Sequence, residues 1–199
     1  MKMKNIIYTL MILGLSLKSA AAHEEIQKYE DCLNEMKTLS GEFTQINSKG
    51  HTSTGTIQIS RPGRLCLTYN PPSSLLIMAD GKWLITRDRA ADEVNYSSLE
   101  KTPAGFILQP HVRFDGDVAV TKVARVGDMT EISLIRKEEP DAGAIILVFK
   151  DNPTALHEWR VIDPQGIETQ VILSNIQTNV DLPNEIFAIE SPSLLQQIF

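Results

Sequence analysis

Between residues 118 and 178, five long alternating stretches follow one another with almost nothing between them. They are Val118–Val126, Thr130–Lys137, Ala144–Lys150, Leu156–Ile162 and Glu168–Thr178. The separators are Gly127-Asp128, Pro140-Asp141-Ala142-Gly143, Asp151-Asn152-Pro153 and Asp163-Pro164-Gln165-Gly166. A parallel pair needs a crossover of about a dozen residues or more, and these turns are far shorter. The spacing therefore predicts an up-and-down antiparallel meander.

The first half of the chain repeats the pattern. Glu42–Asn47, Gly55–Ser60, Arg64–Tyr69, Leu75–Ala79, Lys82–Asp88 and Glu93–Ser98 all read as strands. Gly50–Thr54 is a polar hairpin tip, Asn70-Pro71-Pro72 a break, and Asp80-Gly81 the composition of a type I′ turn. About ten strands in one sheet usually curl. Two stretches depart from the period of two. Ile26, Tyr29, Leu33 and Met36 share one stripe of a helix expected over Glu25–Leu39, with Ser40-Gly41 as its stop. Thr102 and Pro103 suit the N-cap and first position of a short helix running to Gln109. Its Phe106, Ile107 and Leu108 are strongly apolar for one turn, so the insert must cover something. Leu182–Ile189 leads to a Ser191-Pro192 end. The expected class is α+β, mainly β. The expected form is an incomplete, strongly curved antiparallel β-barrel, with an N-terminal helix and short helices lidding an apolar cavity.

Residues 1–22 read as a signal peptide. Lys2 and Lys4 form a basic start, Ile6–Leu17 an apolar run too short to span a bilayer, and Ser19-Ala20-Ala21-Ala22 a cleavage site. Cleavage near Ala22 leaves residues 23–199 as a single exported, soluble domain. It removes Lys2, Lys4 and Lys18 and no acid, which takes the formal charge from −6 to −9. That balance argues against nucleic acid and anionic membrane surfaces, which require clustered Lys and Arg. Two cysteines in an exported chain invite a disulfide. Cys66, however, has the opposite strand parity to Leu65 and Leu67, and nothing in the pattern brings it to Cys32.

Catalytic patterns are missing. His23, His51, His111 and His157 fall at the mature N-terminus, a hairpin tip, a loop and a strand start, with no partner at metal spacing. There is no nucleophile elbow and no phosphate loop. Asp115/Asp117 and Asp92/Glu93 sit in turns, where acids are solvated. The reading favours binding over catalysis, with no cofactor. One residue stands out. Arg61 carries a charge at the parity of Leu65, Leu67 and Tyr69, on an otherwise apolar face. It either reaches solvent past Pro62 or is buried where it finds acceptors.

Several runs resemble the LolA family of periplasmic outer-membrane lipoprotein carriers. They are Leu39-Ser40-Gly41-Glu42-Phe43-Thr44-Gln45, the Gly55–Tyr69 strand pair with its Arg-Pro-Gly-Arg-Leu, and Pro71-Pro72 followed by Leu76–Trp83. Thr102-Pro103 falls where that family places its first lid helix, and Leu182-Pro183 to Phe187 resembles its closing segment. The similarity covers nearly all of the mature chain. It implies a lidded half-barrel that takes acylated lipoproteins from an inner-membrane ABC-type releasing complex. Delivery to the outer membrane would go through a receptor lipoprotein or directly. It also implies a periplasmic location and a cavity lined by Leu65, Leu67, Tyr69, Leu76, Met78, Trp83, Phe106, Ile107 and Leu108, and since nothing in the sequence demands an oligomer, a monomer is expected. Plain core packing explains any one of these side chains equally well. The family pattern has Phe and Trp where Leu65 and Leu67 stand, so this wall is apolar with less aromatic surface. Arg61 becomes a latch that holds the lid shut through carbonyls at the end of the lid helix. Two other classes fit an exported half-barrel: a lipid-sensing regulatory module, and a hydrolase on a lipid substrate.

Overall fold

The computed structural model describes residues 25–188. The expected signal segment, its cleavage site and the Ser191-Pro192 end lie outside the described residues. Eleven strands form one antiparallel sheet: β1 Thr38–Asn47, β2 Thr52–Ser60, β3 Arg64–Tyr69, β4 Leu75–Asp80, β5 Trp83–Asp88, β6 Glu93–Ser98, β7 Val118–Val126, β8 Met129–Arg136, β9 Ala144–Asp151, β10 Thr154–Ile162 and β11 Glu168–Thr178. The spatial order is β6-β5-β4-β3-β2-β1-β11-β10-β9-β8-β7. Each half is a meander, and the β1–β11 pair joins them, with Phe43 opposite Leu173. β6 and β7 do not pair, so the sheet is an incomplete barrel, as the turn spacing predicted.

The helix α1 (residues 25–35) and the short helix α2 (Pro103–Ile107) cover one face. Tyr29 and Leu33 of α1, and Met36 just past its end, bury against Leu39 and Phe43 of β1, Ile57 and Ile59 of β2, and Leu147 and Phe149 of β9. Tyr29 packs its ring 4.9 Å from that of Phe149 and donates its hydroxyl to Asp151 at 2.5 Å. Lys28 donates to the same carboxylate at 3.1 Å, so Asp151 anchors the helix to the end of β9.

One expectation needs correction. The helix does not reach Leu39, because β1 begins at Thr38 and runs through Ser40-Gly41. Strand pairing wins there. Thr38 pairs with Ser60, and its hydroxyl donates to the Val180 carbonyl at 2.6 Å. Gly41 is not a helix stop but a point of close approach, since a Cβ there would lie 2.3 Å from Ile176 Cδ1. Asn184–Phe187 is a 3-10 turn that folds onto the outer face of β3 and β4, where Phe187 clusters with Cys66 and Met78. Cys32 and Cys66 are both free thiols on opposite sides of the sheet, so the disulfide reading falls.

Candidate functional site

The face beneath the two helices is a continuous apolar wall. On β3, alternation sends Leu65, Leu67 and Tyr69 to this face and Cys66 and Thr68 to the other. Phe106, Ile107 and Leu108 descend onto the wall from the α2 segment, and all three are buried in the same cluster. Phe106 lies 6.3 Å from Phe114, and Tyr69 meets Phe43 edge to face at 4.9 Å. The Tyr69 hydroxyl donates to Gln45 Oε1 at 2.6 Å, and burial pushes its pKa up to about 12.

Six of the nine expected cavity residues thus come together, and three do not. The β3–β4 register pairs Leu65 with Ala79 and Leu67 with Ile77. Leu75, Ile77 and Ala79 therefore face the helices with Leu84 of β5. Leu76 and Met78 point to the opposite face, in register with Thr68 and Cys66. Trp83 has the parity of Ile85, which pairs with Met78, and is 38% exposed at the start of β5. The alternation inside each strand is clear in the sequence. The phase between β3 and β4 depends on how residues 70–74 turn, and a slip of one residue exchanges every side chain between faces. Leu75, Ile77, Ala79 and Leu84 were recoverable only with that phase.

The lid is built from Leu99 to Phe114. A 3-10 turn, Leu99–Lys101, leads into α2, whose first turn is capped by the Thr102 hydroxyl accepting from the Gly105 N–H at 3.2 Å. A Cβ on Gly105 would sit 2.1 Å from the Leu99 carbonyl oxygen, so only glycine lets the two turns stack. The strap after α2 is tied to α1 by side chains that the sequence did not single out. Asn34 accepts from the Val112 N–H and donates to the Val112 carbonyl, both at 2.9 Å. Glu30, buried, accepts the Phe114 N–H at 2.5 Å.

Arg61 sits where α1, α2 and the β2–β3 turn converge. Its backbone N–H donates to the Lys37 carbonyl at 2.8 Å, and two residues on, the Gly63 N–H donates to the Leu108 carbonyl at 2.9 Å. The half-buried guanidinium does not reach past Pro62 to solvent. Nε and Nη2 donate to the Gln109 carbonyl at 3.1 and 2.6 Å. Nη1 donates to the carbonyls of Leu33 and, at 3.3 Å, Met36, and Nη2 lies 3.4 Å from Asn34 Oδ1. One cation thereby collects orphan carbonyls from the C-terminal ends of both helices. Burial lowers its pKa from the ordinary value.

Among the described residues no group of three or more His, Cys, Asp or Glu is placed to hold a metal ion. No helix there is long and apolar enough to cross a membrane. The arrangement is a broad apolar wall packed directly beneath an apolar cover, with a polar tie at the rim.

Comparison with known proteins agrees with this architecture. The family described as outer membrane lipoprotein carrier protein LolA matches residues 34–190. An outer-membrane lipoprotein carrier protein of Chromobacterium violaceum is 26% identical over 192 residues, covering 92% of each chain. Another, of Legionella pneumophila, is 28% identical over 198 residues, covering 95% of each. Among solved structures, a DUF1329 family protein from Desulfovibrio piger superposes with a TM-score of 0.53 at 13% identity. It covers 88% of this chain and 98% of its own, which speaks to the fold alone.

Proposed function

Because the chain belongs to the LolA family of outer membrane lipoprotein carrier proteins, we propose that it is a periplasmic chaperone for lipoprotein acyl chains. It would take them up on release from the inner membrane and carry them to the outer membrane. The relatives named as carriers support the role at modest identity over most of their length. The observation that carries it here is the tie at Arg61. A cation hydrogen-bonded to the lid at Gln109 and to α1 at Leu33 closes an apolar wall without covalent linkage.

The energetics suit such a device. Each buried methylene is worth about 0.8 kcal/mol, so an ordinary fatty-acyl chain in water carries a cost on the order of 10 kcal/mol. An empty carrier has the same problem with its own wall, since large exposed apolar patches associate. Phe106, Ile107 and Leu108 solve it by lying on the wall when no cargo is present. When acyl chains enter, these side chains exchange protein contacts for contacts with lipid, so their burial is not lost. The opening cost then falls mainly on the polar ties, those of Arg61 to Gln109 among them. In this reading Leu65, Leu67, Tyr69 and the lid trio line the cavity, with Ile77 and Ala79 as further wall. The donor is an inner-membrane ABC-type releasing complex, and the acceptor is the outer membrane or a receptor lipoprotein in it. The protein works as a monomer, without a cofactor and without chemistry.

The test is transfer. Mature protein added to spheroplasts is expected to release a radiolabelled triacylated lipoprotein into the soluble fraction as a complex with it. Arg61→Leu should release cargo with an altered balance of uptake and delivery. Recovery of free phospholipid only, with no lipoprotein in the soluble fraction, would sink the carrier reading. Parent-like uptake and delivery by Arg61→Leu would remove the latch.

A further inference from the structure

The register that takes Leu76 and Met78 off the lidded wall places them in a second concavity, on the other face of β2–β6. Its volume is about 500 Å³, within the range of small-molecule sites. Two cross-strand rows make its floor. One runs Cys66, Met78, Ile85, Tyr96, and the next runs Thr68, Leu76, Arg87, Val94. Ile186 and Ala188, from the turn that folds onto this face, form one side. Arg89 stands at the rim, and no acid is among the lining residues.

Two features of this groove are unexplained by folding. Tyr96 at its edge is a large side chain left 54% exposed. Arg87 Nε is fully buried, and among the described residues it has no hydrogen-bond acceptor. An unpartnered buried N–H costs free energy, and Arg87, half-buried, lines the groove, so its guanidinium can take an acceptor from there. The floor around it is apolar apart from Thr56, Gln58 and Thr68 at one side. An anion here would meet two cations in a chain whose overall formal charge is −6. A carboxylate can take a guanidinium in two parallel bonds, while a single alkyl chain fits a groove floored by Met78, Ile85 and Leu76.

We propose that this outer groove binds one long-chain fatty acid, its carboxylate on Arg87 and Arg89 and its alkyl chain along Met78, Ile85 and Leu76. The site is separate from the lidded wall, with the thickness of the sheet between them. It stands whether or not that wall carries lipoproteins.

Cys66 on the groove floor provides the readout. In a full mature chain carrying Cys32→Ser, Cys66 is the only thiol, and its rate of reaction with an aromatic disulfide reagent is followed against dodecanoate below its micelle concentration. Saturating dodecanoate is expected to slow the reaction about tenfold or more, and Arg87→Gln with Arg89→Gln to raise the half-protecting concentration by about the same factor. Arg87→Lys with Arg89→Lys, which keeps the charge but not the fork, should give a half-protecting concentration between those of the parent and the glutamine pair. Met78→Trp, which fills the groove, should abolish the dodecanoate dependence. Each variant is checked for parent-like thermal unfolding, and the lysine pair keeps the test decisive if the glutamine pair does not fold. The proposal is overturned if methyl dodecanoate or inorganic phosphate alone protects equally well, if the folded glutamine pair protects like the parent, or if dodecanoate leaves Cys66 unprotected.

Discussion

Replacing Arg61 with leucine gives the sharpest test of the closed lid. The guanidinium makes two kinds of bond. Those to Leu33 and Met36 hold α1, and those to Gln109, at 3.1 and 2.6 Å, hold the lid. A hydrogen bond from a charged donor contributes about 1.5–3 kcal/mol. Two donors on one carbonyl count as little more than one such bond, and the desolvation that lowers the Arg61 pKa works against them. We take about 2 kcal/mol for the lid, which is roughly a thirtyfold change in the open fraction. The backbone bond from Gly63 to Leu108 and the burial of Phe106, Ile107 and Leu108 remain, so the lid stays mostly closed. Amide hydrogen exchange reads this directly. The Leu108 N–H, bonded to the Ala104 carbonyl at 3.0 Å, should exchange about thirtyfold faster in the variant. The Phe43 amide, central in the β1 ladders, should change far less. An unchanged Leu108 rate would show that Arg61 does not hold the lid. Equal acceleration at Leu108 and Phe43 would show that it holds the whole fold instead. Arg61→Lys, a point charge without the fork, should fall between parent and leucine.

Other perturbations reach different parts of the molecule. Leu67→Glu, on the lidded wall, should abolish lipoprotein uptake in the spheroplast assay, while Trp83→Ala should leave it unchanged; the reverse would return Trp83 to the cavity. Gly55→Ala would set a Cβ 2.2 Å from the Thr68 carbonyl oxygen and 2.7 Å from the Phe43 ring, so urea denaturation should show a loss of about 2 kcal/mol or more. Tyr69 is held protonated by burial, with its pKa raised to about 12. Its contribution is complete below the unfolded tyrosine value near 10 and is lost as pH rises through the folded value. The urea midpoint of the parent should therefore fall more steeply from pH 9.5 to about 11.5 than that of Tyr69→Phe, and parallel curves would show that Tyr69 ionises as freely folded as unfolded.

Much of this molecule follows from local chemistry. A two-residue Asp80-Gly81 turn, a Thr102-Pro103 helix start and the short connections after Val118 each act through neighbouring residues. They settle which strands are neighbours within each meander and where the lid insert falls along the chain, while the β1–β11 pair that joins the two halves is a distant contact. The amphipathic stripe of Tyr29, Leu33 and Met36 is equally local, and its burial follows from the side-chain period alone. The cation at Arg61 was conspicuous for the same reason, being a charge out of phase with its strand. Tertiary structure decided where such signals meet. Pairing Leu67 with Ile77 rather than Leu76 set which half of β4 faces the lid, and that choice arises from a turn whose geometry no periodicity encodes. It drew β1 back to Thr38, because pairing with β2 and β11 outweighs continuing a helix. It gave Arg61 acceptors on α1 as well as on the lid, from segments far apart in the chain and adjacent only after the sheet has curled. It also exposed the outer groove, whose buried Arg87 Nε is a property of packing and has no counterpart in the one-dimensional pattern.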